Sequence, residues 1–158
     1  MLWLFILAIV MFFAALTSAF LVQTSKTESF QIVLPIRFIY STLVVLLSSF
    51  SIHQASRAII RVRFWLLMTF LLGCFFLYSQ YQAWGELVSE QIYLVGHPKG
   101  SFLYIISGAH AAHVLGGLLY LLIVGCSIQK EKIKRCAIYW HFLSILWLYL
   151  YGFFYFFS

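Results

Sequence analysis

Hydrophobic residues along this chain come in long runs broken by short polar stretches. About 20 consecutive apolar residues suffice to cross a bilayer core as a helix. On that measure the pattern predicts five spanning helices: Leu2–Val22, Ile36–Ser56, Phe64–Tyr81, Ser101–Cys126 and Ala137–Phe157. Gln23–Gln31 is polar, Pro35 and Arg37 open the second run, and Gly85–Gly100 forms the longest polar connection. The first run lacks a basic leading segment, so it is read as a retained helix and not as a cleaved signal, despite a faintly signal-like Leu16–Ala19. No repeat or linker divides the sequence, and residues 1–158 read as a single membrane domain, an all-α bundle of five transmembrane helices.

The polar positions inside the runs mark where helices meet. In the second run Ser41, Ser48, Ser51 and Ala55 share one stripe, and Thr42, Ser49, His53 and Ser56 a neighbouring one. Hydroxyls gain nothing from lipid, so both stripes are expected to face other helices. The fourth run contains Ser107–Gly117, with His110 and His113 three residues apart among small residues. Gly108, Ala112 and Gly116 fall at i, i+4 and i+8, a stripe on which a neighbouring backbone can approach closely. Leu103, Val114, Leu118 and Leu121 point roughly the other way, with His110 nearer to them. The expectation is a helix that packs through its small face and shows lipid part of its leucine face.

Composition agrees with the pattern. With 64% hydrophobic and 9% charged residues, and a mean hydropathy of +0.99, the chain lacks the polar surface of a soluble domain. The net charge of +6 raises nucleic-acid binding. Yet the basic residues sit in short clusters between apolar runs, where they set membrane orientation instead. Arg57, Arg61 and Arg63 form one cluster and Lys130, Lys132, Lys134 and Arg135 another; the alternate segments hold only Lys26, Arg37 and Lys99. The positive-inside rule then puts the N-terminus in the cytoplasm and the C-terminus outside.

The candidate chemistry is sparse. Cys74, Cys126 and Cys136 form no metal-ligand spacing. Glu28, Glu86, Glu90 and Glu131 all fall in or beside connections, which leaves histidine as the intramembrane group to weigh. A haem held by two helices needs histidines at one depth. His113 lies about 18 Å from the outer end of its helix, and His141 about 6 Å from the inner end of the next, a mismatch of about 6 Å across a 30 Å core. The small stripe leaves no room for a macrocycle between packed helices. A neutral imidazole bonded to a carbonyl is the expected state, and no residue is assigned to catalysis, a cofactor or a metal.

Several segments together resemble the subunit III family of the haem-copper oxidases. Ser107–Gly117, followed by Ala137–Tyr151, is similar to that family's last two helices: a paired-histidine helix, then one opening Tyr139-Trp140-His141-Phe142. Met11–Leu16, Ser41–Ser56 and Tyr81–Leu87 resemble its earlier helices in order. The resemblance implies a short five-helix bacterial form in the cytoplasmic membrane. It implies no haem or copper in this chain; those belong to the partner subunits I and II. The implied role is to flank subunit I, sustain turnover and hold structural phospholipid, possible settings including a larger respiratory supercomplex. His110, His113, Tyr139, Trp140 and His141 carry the family signature. The chain departs from the family pattern at Ile9 and Ser144, where many members have acids, at Gly85, and at Ser127 in place of a basic residue. A quinol oxidase subunit III or a nitric oxide reductase accessory protein shares the same helix set. A small glutathione-using membrane enzyme or a haem-binding anchor are readings from other classes; the first lacks an H-x-x-H-V helix, and the close-packing stripe disfavours the second.

Overall fold

The computed structural model describes residues 1–25, 36–58, 60–89 and 98–157. Its helices are α1 Leu2–Thr24, α2 Arg37–Arg57, α3 Val62–Ser89, α4 Pro98–Cys126 and α5 Lys130–Phe157. All five are long and apolar enough to cross a membrane, and the described residues contain no strand. The protein is an all-α, multi-pass membrane protein. Pro35, Lys26, Glu28, Glu90 and His97, and the polar stretches around them, lie outside the described residues.

Two boundaries differ from those read off hydropathy. α3 does not stop at Tyr81 but continues to Ser89. Two polar residues beyond Tyr81 are bonded to neighbouring helices, so nothing forces the backbone out of helix there. Trp84 Nε1 donates to Ser107 Oγ at 3.1 Å, and Arg37 pairs with Glu86. Likewise α5 begins at Lys130, so the second basic cluster is helix and the connection from α4 shrinks to Ser127–Gln129. Lys and Arg are good helix formers, and Ile133 and Cys136 already give this first stretch a buried face.

Among the described residues α2 packs against α3 and α5, α4 against α3, α5 and α1, and α1 touches only α4 and α5. α5 is the central strut, in contact with α1, α2 and α4, and its aromatic side chains fill the middle. Trp147 is fully buried. It stacks on Phe38 of α2 (5.9 Å between ring centroids), meets Phe76 of α3 edge-on (5.1 Å) and lies 5.1 Å from the His110 ring of α4.

The expected faces of α4 are exchanged. Leu103, Val114, Leu118 and Leu121 are only 1, 3, 5 and 3% exposed and line the core, together with fully buried His110. Ala112 and Gly116 are exposed and Gly108 is half-buried, and a Cβ built at Gly108 or Gly116 would meet nothing. The close approaches occur at Gly73 and Gly117 instead. A Cβ at Gly73 would come within 2.8 Å of Leu118 and 3.0 Å of Trp140; one at Gly117 would come within 3.2 Å of Trp140 and of Tyr139. The spacing of small residues shows where a backbone can approach, but α3 and α5 present bulky rings, which need a leucine surface and isolated notches.

Candidate functional site

The two signature histidines have different surroundings. His110 is walled by Phe13, Phe76 and Trp147, at centroid separations of 6.4, 5.8 and 5.1 Å. Neither of its ring nitrogens has a hydrogen-bonding partner among the described residues. His113 is half-buried, and its Nδ1 donates to the Ala109 carbonyl at 2.7 Å. That bond uses the backbone acceptor one turn back and makes this a proton-bearing Nδ1. Phe12 and Phe13 of α1 lie 6.5 and 5.7 Å from the His113 ring.

Tyr139, Trp140 and His141 are consecutive on α5, so each side chain leaves the helix about 100° from the last. Between them they reach all four neighbouring helices. Tyr139 turns to α4 and α1: its hydroxyl donates to the His113 carbonyl at 3.2 Å and its ring lies 6.0 Å from Phe5. Trp140 wedges its ring against Gly73 and Gly117 and donates from Nε1 to Ser48 Oγ of α2 at 3.0 Å. His141 turns to α2, with Nδ1 2.5 Å from Ser49 Oγ and its ring 5.7 Å from that of His53.

The α2–α5 contact continues as a polar seam. Two turns above Trp140, Trp147 Nε1 donates to Thr42 Oγ1 at 3.1 Å. Gln80 of α3 donates to Ser41 Oγ at 3.2 Å, and Ser51 donates to the Trp65 carbonyl of α3 at 3.0 Å. The hydroxyl stripes of α2 thus face other helices, as their spacing indicates. Sequence reasoning did not find their partners, the two indoles and Gln80. The one available signal was that Thr42 and Ser48 are separated by about the same rise as Trp140 and Trp147.

His113 faces α1 while His141 faces α2, and the described residues of α1 and α2 do not touch. The histidines considered as a haem pair therefore address different clefts. Among the described residues no three His, Cys, Asp or Glu side chains gather to hold a metal. An open cleft of about 430 Å³ lies between α1, α4 and α5, lined by Met1, Leu2, Phe5, Gly116, Tyr120, Arg135 and Tyr139. Its walls are largely apolar, with Arg135 at the end of the bundle that carries the basic clusters.

No protein-family model matches the chain. Individual relatives do. A probable cytochrome c oxidase subunit 3 of Mycobacterium tuberculosis is 33% identical over 128 residues, covering 73% of this chain and 63% of the relative. Cytochrome c oxidase subunit 3 of Corynebacterium diphtheriae is 32% identical over 119 residues, covering 66% of this chain and 58% of the relative. Subunit 3 of the cytochrome bo(3) ubiquinol oxidase of Buchnera aphidicola is 27% identical across 98% of this chain and 90% of its own length. The chain belongs to the subunit III family of the haem-copper oxidases. It spans about three-fifths of the length of the first two of these relatives.

Within this subunit III fold the atypical positions are accommodated locally. Ile9 is 3% exposed and packs in the core. Ser144, also buried, donates to the Trp140 carbonyl at 3.0 Å. Glu86, next to Gly85, pairs with Arg37. Ser127 accepts from Lys132 Nζ at 3.1 Å, so a cation still reaches the C-terminal end of the histidine-pair helix.

Proposed function

We propose that this chain is a non-catalytic subunit III of a bacterial respiratory terminal oxidase, docked on the haem-copper subunit I beside subunit II. One observation carries the reading beyond family membership: the signature side chains are spent on holding helices together. Tyr139 bonds α4, Trp140 and His141 both bond α2, and His110 is sealed by rings. Such a chain acts by shape, shielding the catalytic subunit and seating lipid. The cleft beside α1 suits a phospholipid, with acyl chains against Leu2, Phe5 and Gly116 and a phosphate near Arg135. Haem and copper reside in the partners. The basic clusters orient the chain in the cytoplasmic membrane with its N-terminus inside.

Depleting the chain from the oxidase is the direct test. Turnover should start near its normal rate and then decay over many cycles, while protons pumped per electron in the earliest turnovers stay at the intact value. A fall in that early stoichiometry, restored by adding the chain back, would give it a part in proton transfer and overturn the reading. A quinol oxidase setting has its own support in the likeness to a ubiquinol oxidase subunit 3 along nearly the whole chain. Co-purification, the haem spectrum of the complex and the donor it oxidises decide between cytochrome c and quinol.

A further inference from the structure

Two side chains in the middle of the bundle are fully enclosed and short of partners. His110 is 0% exposed and Gln80 1%. Both His110 nitrogens and Gln80 Oε1 have no hydrogen-bond partner among the described residues. A neutral imidazole offers one N–H donor and one acceptor, and a carboxamide oxygen accepts two bonds. Leaving such groups unmet in an apolar interior is costly, and buried polar groups with no protein partner are the usual hosts of internal water.

The register of α3 on α4 brings the two together. Gly73 lies against Leu118 and Trp84 bonds to Ser107. α3 thus advances eleven residues while its contacts on α4 go back eleven. At that register Gln80 falls opposite Ala111, next to His110. Gln80 also shares a helix face with Gly73, seven residues earlier, and with Phe76, one turn earlier, whose ring meets His110 at 5.8 Å. On its far side the Gln80 amide is fixed, donating from Nε2 to Ser41 Oγ at 3.2 Å. Oε1 is left on the side away from that bond.

We infer that Gln80 and His110 form a water-binding site between α3 and α4, in which one buried water donates to Gln80 Oε1 and accepts the His110 ring N–H. Two polar partners are enough to hold an internal water. The other ring nitrogen stays among Phe13, Phe76 and Trp147. The chain Ser41–Gln80–water–His110 would then tie α2, α3 and α4 at one depth. The site stands apart from the proposed oxidase role and is tested without it.

The test uses the full chain in lipid vesicles, with ¹⁵N-labelled histidine and solid-state magnetic resonance. The His110 signal is the one missing in His110→Phe. Selective excitation of water should transfer to the His110 ring N–H in the native chain, and the transfer should be lost in Gln80→Leu. If Gln80→Leu fails to fold, the nearly isosteric Gln80→Met takes its place. No transfer in the native chain, or transfer unchanged in the Gln80 variant, overturns the site. Melting temperatures provide a second reading, on Gln80→Met, His110→Phe and the double variant. The shared water predicts that the double variant loses less than the sum of the singles, by about 3 °C or more; additive losses overturn it.

Discussion

Gly73 and Gly117 hold their place for lack of room: a single methyl at Gly73 would sit 2.8 Å from Leu118, and at Gly117 3.2 Å from Trp140. Gly73→Leu or Gly117→Leu must displace Trp140 and is expected to cost about 1–3 kcal/mol by overpacking. Gly116→Leu, which meets nothing, should leave the chain's own melting temperature unchanged. Leu118→Ala, in the core, should cost about 2–5 kcal/mol. Thermal unfolding of the purified chain in detergent measures all four. Equal losses from Gly116→Leu and Gly117→Leu would refute the face assignment. Trp140→Phe removes the hydrogen bond to Ser48 together with part of a ring wedged against Gly73 and Gly117; Ser48 keeps its bond to the Val45 carbonyl, so the loss should be about 1–3 kcal/mol and mostly one of packing. This scale was half legible in the sequence. The i, i+4 spacing of Gly108, Ala112 and Gly116 marked a strip of small residues, but not the face that packs within this chain. Which strip a neighbour uses depends on the shapes of Trp140 and Trp147 arriving from α5, and no periodicity within α4 contains that information.

At the scale of helices, existence and order were readable because each apolar run is long and each break is polar. The ends were not, since hydropathy measures what lipid tolerates and says nothing of polar residues that find partners inside protein. Glu86 falls in the stretch that reads as connection, and Trp84 beyond the expected helix end at Tyr81, yet their bonds to Arg37 and Ser107 keep α3 helical to Ser89. The Arg37–Glu86 pair ties the start of α2 to the end of α3 with both side chains partly exposed, so its worth is at most about 1 kcal/mol. Arg37→Glu and Glu86→Arg should each lower the melting temperature slightly, and the double exchange should recover most of the loss. No recovery would mean that the pair contributes nothing. The α2–α5 seam has larger consequences. Thr42 and Ser48 are separated by about 9 Å of helix rise, so Thr42→Val and Ser48→Ala should destabilise nearly additively.

For the whole molecule, the proposed orientation rests on charge. Alkaline phosphatase fused after Ser158 should be active outside the cytoplasm, and the same enzyme inserted in the Ser127–Gln129 connection should be silent; the reverse pattern inverts the bundle. α1 is the least embraced helix, with contacts to α4 and α5 alone and one side carrying exposed Trp3, Leu4, Leu7 and Met11. That side and the neighbouring cleft are where lipid and partner surfaces are expected, so substitutions there should affect assembly more than the fold. Arg135→Gln should leave the melting temperature in detergent unchanged and reduce the phospholipid retained after purification, as read by mass spectrometry. Family membership was legible from short motifs. The use made of those motifs was not, because a histidine in a spanning helix reads the same whether it is a ligand, a relay or a spacer.

The seam from His53 to Thr42 lines up hydroxyls and imidazoles through much of the bundle's thickness, and such a row elsewhere can let protons hop from group to group. Here Trp140 and Trp147 donate to two of its hydroxyls, Ser48 and Thr42, and these in turn donate to backbone carbonyls of their own helix, which ends the relay. An indole N–H has no lone pair with which to take up an incoming proton. It works as a one-way valve with the inlet missing: adhesive between helices, yet an insulator along them. A membrane that stores energy as a proton gradient can therefore carry this polar joint without short-circuiting itself.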